Sequence, residues 1–96
     1  MDSTVILDYL ERLASPDRRL TPTDIKAHLR AQHLIGLALA ACEKTVQIVY
    51  ERNLRPAEKQ HQPWIDRVLG QLRSAYRLLD NGLGSGTTWL LGTRPL

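Results

Sequence analysis

The sequence contains a single cysteine, Cys42, which excludes a disulfide bond within the chain. One unpaired cysteine is typical of a protein from a reducing compartment. The chain begins without the basic stretch and apolar run of a secretory signal peptide. Its longest apolar run is too short to span a bilayer. We therefore expect a cytoplasmic protein that does not bind or cross a membrane.

The sequence also has no large excess of charge of either sign. Thirteen basic residues stand against ten acidic ones, which gives a formal net charge of +3, and the two signs are interspersed. A balance this even does not by itself indicate nucleic-acid binding. No segment combines the alternation and turn residues of a β-hairpin, and no internal repeat is visible. With 96 residues, the chain is long enough for one small all-α domain with a modest core.

One long helix is predicted from Pro22 to Asn53. Thr21 or Thr23 can cap its start, and Asp24 places negative charge at the positive end of the helix dipole. Large apolar residues recur at helical spacing and form one stripe, made of Ile25, Leu29, Ile35, Leu39, Cys42, Val46, Val49 and Tyr50. A second face carries mostly small residues: Ala27, Ala31, Leu34, Ala38, Ala41 and Ile48. We expect another backbone to approach closely on this small-residue face, which also suits a second copy of the chain.

Two shorter helices flank the long one. The first is predicted from Ser3 to Leu13, and a polar linker with a proline follows from Ala14 to Leu20. A second polar connection runs from Leu54 to Gln62. The last helix is predicted from Trp64 to Leu79, and Asn81-Gly82 is a natural stop.

Few residues indicate chemistry by themselves. His28 and His33 are five residues apart, so they do not share the helix face that a metal pair needs. His61 lies in a connection without a recognisable catalytic arrangement. Cys42 sits in an all-apolar segment, which favours an inert core thiol. Gly82–Gly86 follows a helix and has no lysine after it, so a linker is favoured over a phosphate loop. Composition and spacing thus predict neither a catalytic nor a metal site.

Four segments resemble the glutathione S-transferases. Asp2–Glu11 is similar to the segment that closes the thioredoxin-like half of that family. Tyr50–Pro56 and Gln62–Val68 resemble the end of the first helix and the start of the second in the helical C-terminal half of bacterial members. Trp89–Leu96 is similar to the entry into the family's central core helix. Each motif is loose alone, but their order and spacing together are specific.

The resemblance implies an all-α, three-helix partial bundle like the C-terminal domain of these enzymes. Residues 2–14 would be the last helix of a thioredoxin-like domain, 15–21 the interdomain linker and 22–96 part of the C-terminal helical domain. The family's βαβ unit, its catalytic Ser, Cys or Tyr and its cis-proline loop have no counterpart in this sequence. We therefore expect a fragment of a larger transferase.

Two site residues follow from the resemblance. Ser3 matches the family serine that binds the γ-glutamyl carboxylate of glutathione, and a helix N-terminus suits an anion. Asp2 matches the acidic residue that holds the γ-glutamyl ammonium group. The alternative, that both residues only cap the helix, stays open. The resemblance implies no catalytic residue and no metal in this chain. It implies no cofactor either, because glutathione is the family's substrate. We expect glutathione binding by this chain to be weak or absent.

The parent reaction implied by the resemblance is conjugation of glutathione to an electrophile, which this chain alone is expected not to catalyse. We also expect a homo-oligomer, because inward residues of the two longer helices lack a partner: Leu39, Cys42, Val46, Ile65, Val68, Leu72 and Tyr76. The alternative is a small basic helical module that binds a protein or DNA. Nucleic acid is disfavoured, since one long helix does not suit a helix-turn-helix and no aromatic residues interleave with the arginines.

Overall fold

The computed structural model of the chain describes residues 3–84, which form three α-helices. Helix α1 comprises Ser3–Leu13, α2 comprises Ile25–Leu54 and α3 comprises Gln62–Leu83. Single 3₁₀ turns at Pro16–Arg18 and Ala57–Lys59 lie in the two connections. Within residues 3–84 there is no strand. The predicted all-α, three-helix fold is confirmed, and the bounds of α1 agree with the prediction.

Helix α2 begins at Ile25, three residues later than predicted, because Asp24 caps it. The Asp24 carboxylate accepts a hydrogen bond from the Ala27 N–H at 3.1 Å. The backbone carbonyl of Asp24 accepts a hydrogen bond from the His28 N–H at 2.8 Å. The prediction that Thr21 or Thr23 caps the helix is wrong. Aspartate is the better cap and adds a charge that suits the helix dipole.

Helix α3 extends past the predicted stop at Gly82 and ends at Leu83. Gly84 takes the C-terminal capping position with a φ of 66°, a conformation that favours glycine, and its N–H donates to the Asn81 carbonyl at 3.2 Å. Gly82 lies inside the helix instead. A Cβ atom at Gly82 would stand 2.7 Å from Cδ2 of Leu34, so this glycine allows α3 to approach α2 closely.

The two apolar faces of α2 differ in burial. Its small-residue face contains the buried residues Ala31, Leu34, Ala41 and Ile48. Every member of the large apolar stripe is exposed, including Ile35, Leu39 and Val46. On the same face Ala27 is half-buried and Ala38 is exposed. The small-residue face therefore holds the buried residues of α2, and the large stripe is left outside.

Compact packing divides the described chain into two units, the first ending at Ala31 and the second beginning at Gln32. Helix α1 belongs to the first unit and has no buried residue. In the second unit, α3 contributes Ile65, Val68 and Ala75 to a buried core. The expectation that Ile65 and Val68 lack a partner is therefore wrong, since they are only 1% and 2% exposed. The assignment of residues 2–14, 15–21 and 22–96 to transferase domains stays a prediction.

No helix within residues 3–84 combines the length and apolar character needed to cross a membrane.

Candidate glutathione-binding site

The candidate site lies at the N-terminal end of α1. Ser3 is the first residue of this 11-residue helix and its side chain is exposed. The amides of a helix's first turn point out of its N-terminal end, where the helix dipole favours negative charge. A serine hydroxyl beside such amides can hold a carboxylate. Asp2, the second predicted residue, lies outside the described residues.

Polar contacts farther along the same unit hold the segment between α1 and α2. The Glu11 carboxylate accepts a hydrogen bond from the Thr21 N–H at 2.8 Å. Arg19 Nε donates to the Ala14 carbonyl at 3.2 Å. An open groove here is lined by Asp8, Glu11, Arg12, Arg19, Thr21, Pro22, Thr23, Ile25 and His28. Since Glu11 and Arg19 bond to the segment itself, we assign these two residues a structural role.

A second polar cluster lies where α2 ends and α3 begins. Glu51 is buried, at 7% exposure. Its carboxylate accepts hydrogen bonds from Arg55 Nε at 2.9 Å and from the His61 N–H at 3.4 Å. The Gln60 amide donates to the carbonyls of Arg52 and Arg55, at 3.1 and 3.0 Å. Both Glu51 oxygens are thus engaged within the chain, which makes this carboxylate a structural anchor.

Sequence reasoning did not identify Glu51. The available signal was the spacing of Glu51 and Arg55 by four residues near a helix end, which stabilises many helices. That spacing does not reveal burial, because burial depends on the chain returning beside it at His61.

The residue types that bind metal ions do not come together in the part of the chain that the structure describes. No group of three or more His, Cys, Asp or Glu residues there could hold a metal ion. Cys42 is exposed. The expectation that Cys42 lies in the core is wrong, because Cys42 belongs to the large apolar stripe of α2, which is left exposed. Its expected inertness stays a prediction.

Comparison with known proteins gives an informative similarity to a solved structure. No protein-family model matches the sequence, and no curated protein matches it. A solved structure does match: a glutathione S-transferase from Methylobacterium radiotolerans, crystallised in complex with glutathione sulfonate. The TM-score is 0.87 with 28% sequence identity, over 99% of this chain and 43% of that chain. The resemblance to the glutathione S-transferases is confirmed.

The helices of this glutathione S-transferase-like chain have the fold of the family's C-terminal helical domain. Three of the segments that carry the sequence resemblance lie within or beside them: at α1, at the end of α2 and at the start of α3. The chain spans less than half the length of the solved transferase. The activity of a whole transferase is therefore a proposal for this chain.

Proposed function

We propose that this chain is the helical portion of a glutathione S-transferase-like protein. The parent reaction is conjugation of glutathione to an electrophile, by attack of the glutathione thiolate. The observation that supports this proposal is the structural match to a transferase crystallised with a glutathione analogue, over nearly the whole of this chain.

We infer further that the chain by itself does not turn over glutathione. Conjugation needs a group that activates the thiol, and no residue of this sequence matches one. The two glutathione contacts implied by the resemblance, Asp2 and Ser3, both concern the γ-glutamyl end of the tripeptide. Contacts at one end leave the cysteinyl thiol without a positioned donor, so binding is weak and the thiol is not activated.

The activity test uses the purified chain with 1-chloro-2,4-dinitrobenzene and glutathione. We expect a rate equal to that of buffer alone, while an intact transferase assayed in parallel shows saturable turnover. A rate above buffer that saturates with glutathione would overturn the inferred inactivity and leave the family resemblance standing.

Residual glutathione binding is tested at Ser3. In an amide NMR titration to millimolar glutathione, we expect any shifts to concentrate at the first turn of α1 and to disappear in Ser3→Ala. Ser15→Ala, at an exposed serine outside the three α-helices, is the matched control and should leave the shifts unchanged. Shifts that survive in Ser3→Ala would contradict the assignment of this residue.

We infer a cytoplasmic homo-oligomer without nucleic-acid or membrane partners. The exposed stripe on α2 supports protein contact over DNA binding as the alternative function, because a DNA surface needs a concentration of positive charge. A salt-dependent mobility shift with duplex DNA would favour the DNA-binding alternative.

A further inference from the structure

An open groove lies beside the turn that joins α2 and α3, and we name it the turn groove. Its apolar lining consists of Tyr50, Leu54, Pro56 and Trp64, and its volume is about 410 Å³. Tyr50, Leu54 and Trp64 are 59%, 73% and 38% exposed. Sites that hold drug-sized ligands span about 300–1,000 Å³, so this space suits a short segment of chain rather than a folded domain. We propose that the turn groove binds a proline-rich segment of a partner protein.

The polar lining of the turn groove consists mainly of hydrogen-bond donors. Gln47 and Arg55 lie in it together with the polar ends of Tyr50 and Trp64. The guanidinium and the indole only donate, whereas the amide and the phenol can donate and accept. The last lining residue, Glu51, is an acceptor, but both its oxygens already accept hydrogen bonds from within the chain, one of them from Arg55 Nε at 2.9 Å. The turn groove therefore suits a ligand that is rich in acceptors and poor in donors.

A proline-rich segment in the polyproline II conformation has this chemistry. Its backbone makes no internal hydrogen bonds, so each carbonyl can accept one from the groove. Each proline also lacks an N–H, so it brings no donor that would need an acceptor. Aromatic-lined grooves are the surfaces on which SH3 and WW domains bind such segments. Because the segment is extended before it binds, little conformational entropy is lost on binding.

Two other classes of ligand fit the turn groove less well. Aromatic side chains attract cations, but the Arg55 guanidinium lies in the groove and repels them. The same guanidinium neutralises the Glu51 carboxylate in an ion pair of 2.9 Å. A helical ligand satisfies its carbonyls internally, so it would leave the donors of Tyr50 and Trp64 without partners. Charge and hydrogen-bond complementarity thus favour a proline-rich occupant.

Binding is measured by fluorescence anisotropy with the full chain and fluorescein-labelled decaproline. We expect saturable binding with a dissociation constant below about 1 mM. A glycine–serine peptide of the same length is the ligand control, because it carries an N–H at every residue and is a flexible coil. Its affinity for the chain should be at least tenfold lower.

Two tyrosines locate the contact. Tyr50→Ala should raise the dissociation constant for decaproline at least tenfold, because the ring and the hydroxyl are both lost. Tyr76→Ala is the matched control, since Tyr76 of α3 is 57% exposed and does not line the turn groove. It should leave the dissociation constant unchanged. Tyr50→Phe removes the hydroxyl alone and should raise the constant about two- to tenfold, the range for the loss of one hydrogen bond. Circular dichroism should show equal helicity in all three variants.

The absence of saturable decaproline binding up to about 1 mM would overturn the proposal, as would equal affinity for the glycine–serine peptide. A Tyr50→Ala variant that keeps its affinity, or a Tyr76→Ala variant that loses as much, would also overturn it. So would tighter binding of a helical peptide or of tetramethylammonium. If Tyr50→Ala fails to fold, Tyr50→Phe and the two peptides decide the question. These readouts do not involve glutathione, so their failure leaves the proposed transferase relationship untouched.

Discussion

Helices α1 and α3 are both amphipathic, yet only α3 has its apolar face covered. In α1 the apolar side chains Val5, Ile6, Leu7, Tyr9, Leu10 and Leu13 are all exposed. In α3, Ile65, Val68 and Ala75 are buried. An apolar stripe thus indicates that a helix can pack against another element, but the stripe is buried only where such an element covers it. Towards the end of α3, Gly82 comes close to Leu34 of α2.

The largest expected difference is between core truncations in these two helices. Ile65→Ala should lower the free energy of unfolding by about 2–5 kcal/mol, because the side chain is fully enclosed and its loss leaves a cavity. Leu10→Ala, at a residue 53% exposed, should change it by less than about 0.5 kcal/mol. Urea denaturation followed by circular dichroism measures both. Equal losses would show that the α1 face is covered in solution.

A smaller difference is expected between the two carboxylate–arginine pairs. Glu51→Ala should destabilise the chain by about 1–3 kcal/mol, because the His61 N–H and the Arg55 guanidinium lose a buried acceptor. Asp8→Ala removes the Asp8–Arg12 pair of α1, whose side chains are 63% and 78% exposed. Solvent screens such a pair, so the change should stay below about 0.5 kcal/mol. The same denaturation experiment serves, and the prediction is refuted if Asp8→Ala costs as much as Glu51→Ala.

The smallest expected effects come from two glycines within α3. Gly70→Ala should stabilise the chain by about 0.5–1 kcal/mol, because alanine favours a helix and nothing lies within 4 Å of the added methyl group. Gly82→Ala should gain less, since its methyl group meets the Leu34 side chain at 2.7 Å. Melting temperatures of the two variants test the order. A higher melting temperature for Gly82→Ala would show that α3 does not press on α2 there.

Helix positions were predictable because their signals are local. The apolar periodicity located all three helices, and the bounds of α1 agree with the prediction. Errors arose where two residues competed for one capping position. Asp24 caps α2 in place of a threonine, and Gly84 caps α3 in place of Gly82. Gly82 and Gly84 can both adopt a positive φ, so the sequence alone does not show which of them ends the helix.

Burial was less predictable because it depends on contacts between distant segments. Helix α2 carries apolar residues on two faces, and its sequence does not state which one α3 covers. The same limit hid Glu51, whose burial arises only when the chain returns beside it at His61. Of the candidate site, Ser3 lies at the start of α1 as the resemblance implied. Its role in binding glutathione stays a prediction, because placement at a helix end also suits a simple cap.

The connection between α2 and α3 has a consequence for the order of folding. The bond between the Glu51 carboxylate and the His61 N–H spans only ten residues of sequence. A loop of about this size closes within roughly 10–100 ns, long before distant parts of a chain meet. We expect the hairpin of α2 and α3 to form first at this turn and then to close progressively towards its open end. The approach of Gly82 to Leu34 would then be among the last contacts made, and the first lost when the hairpin frays.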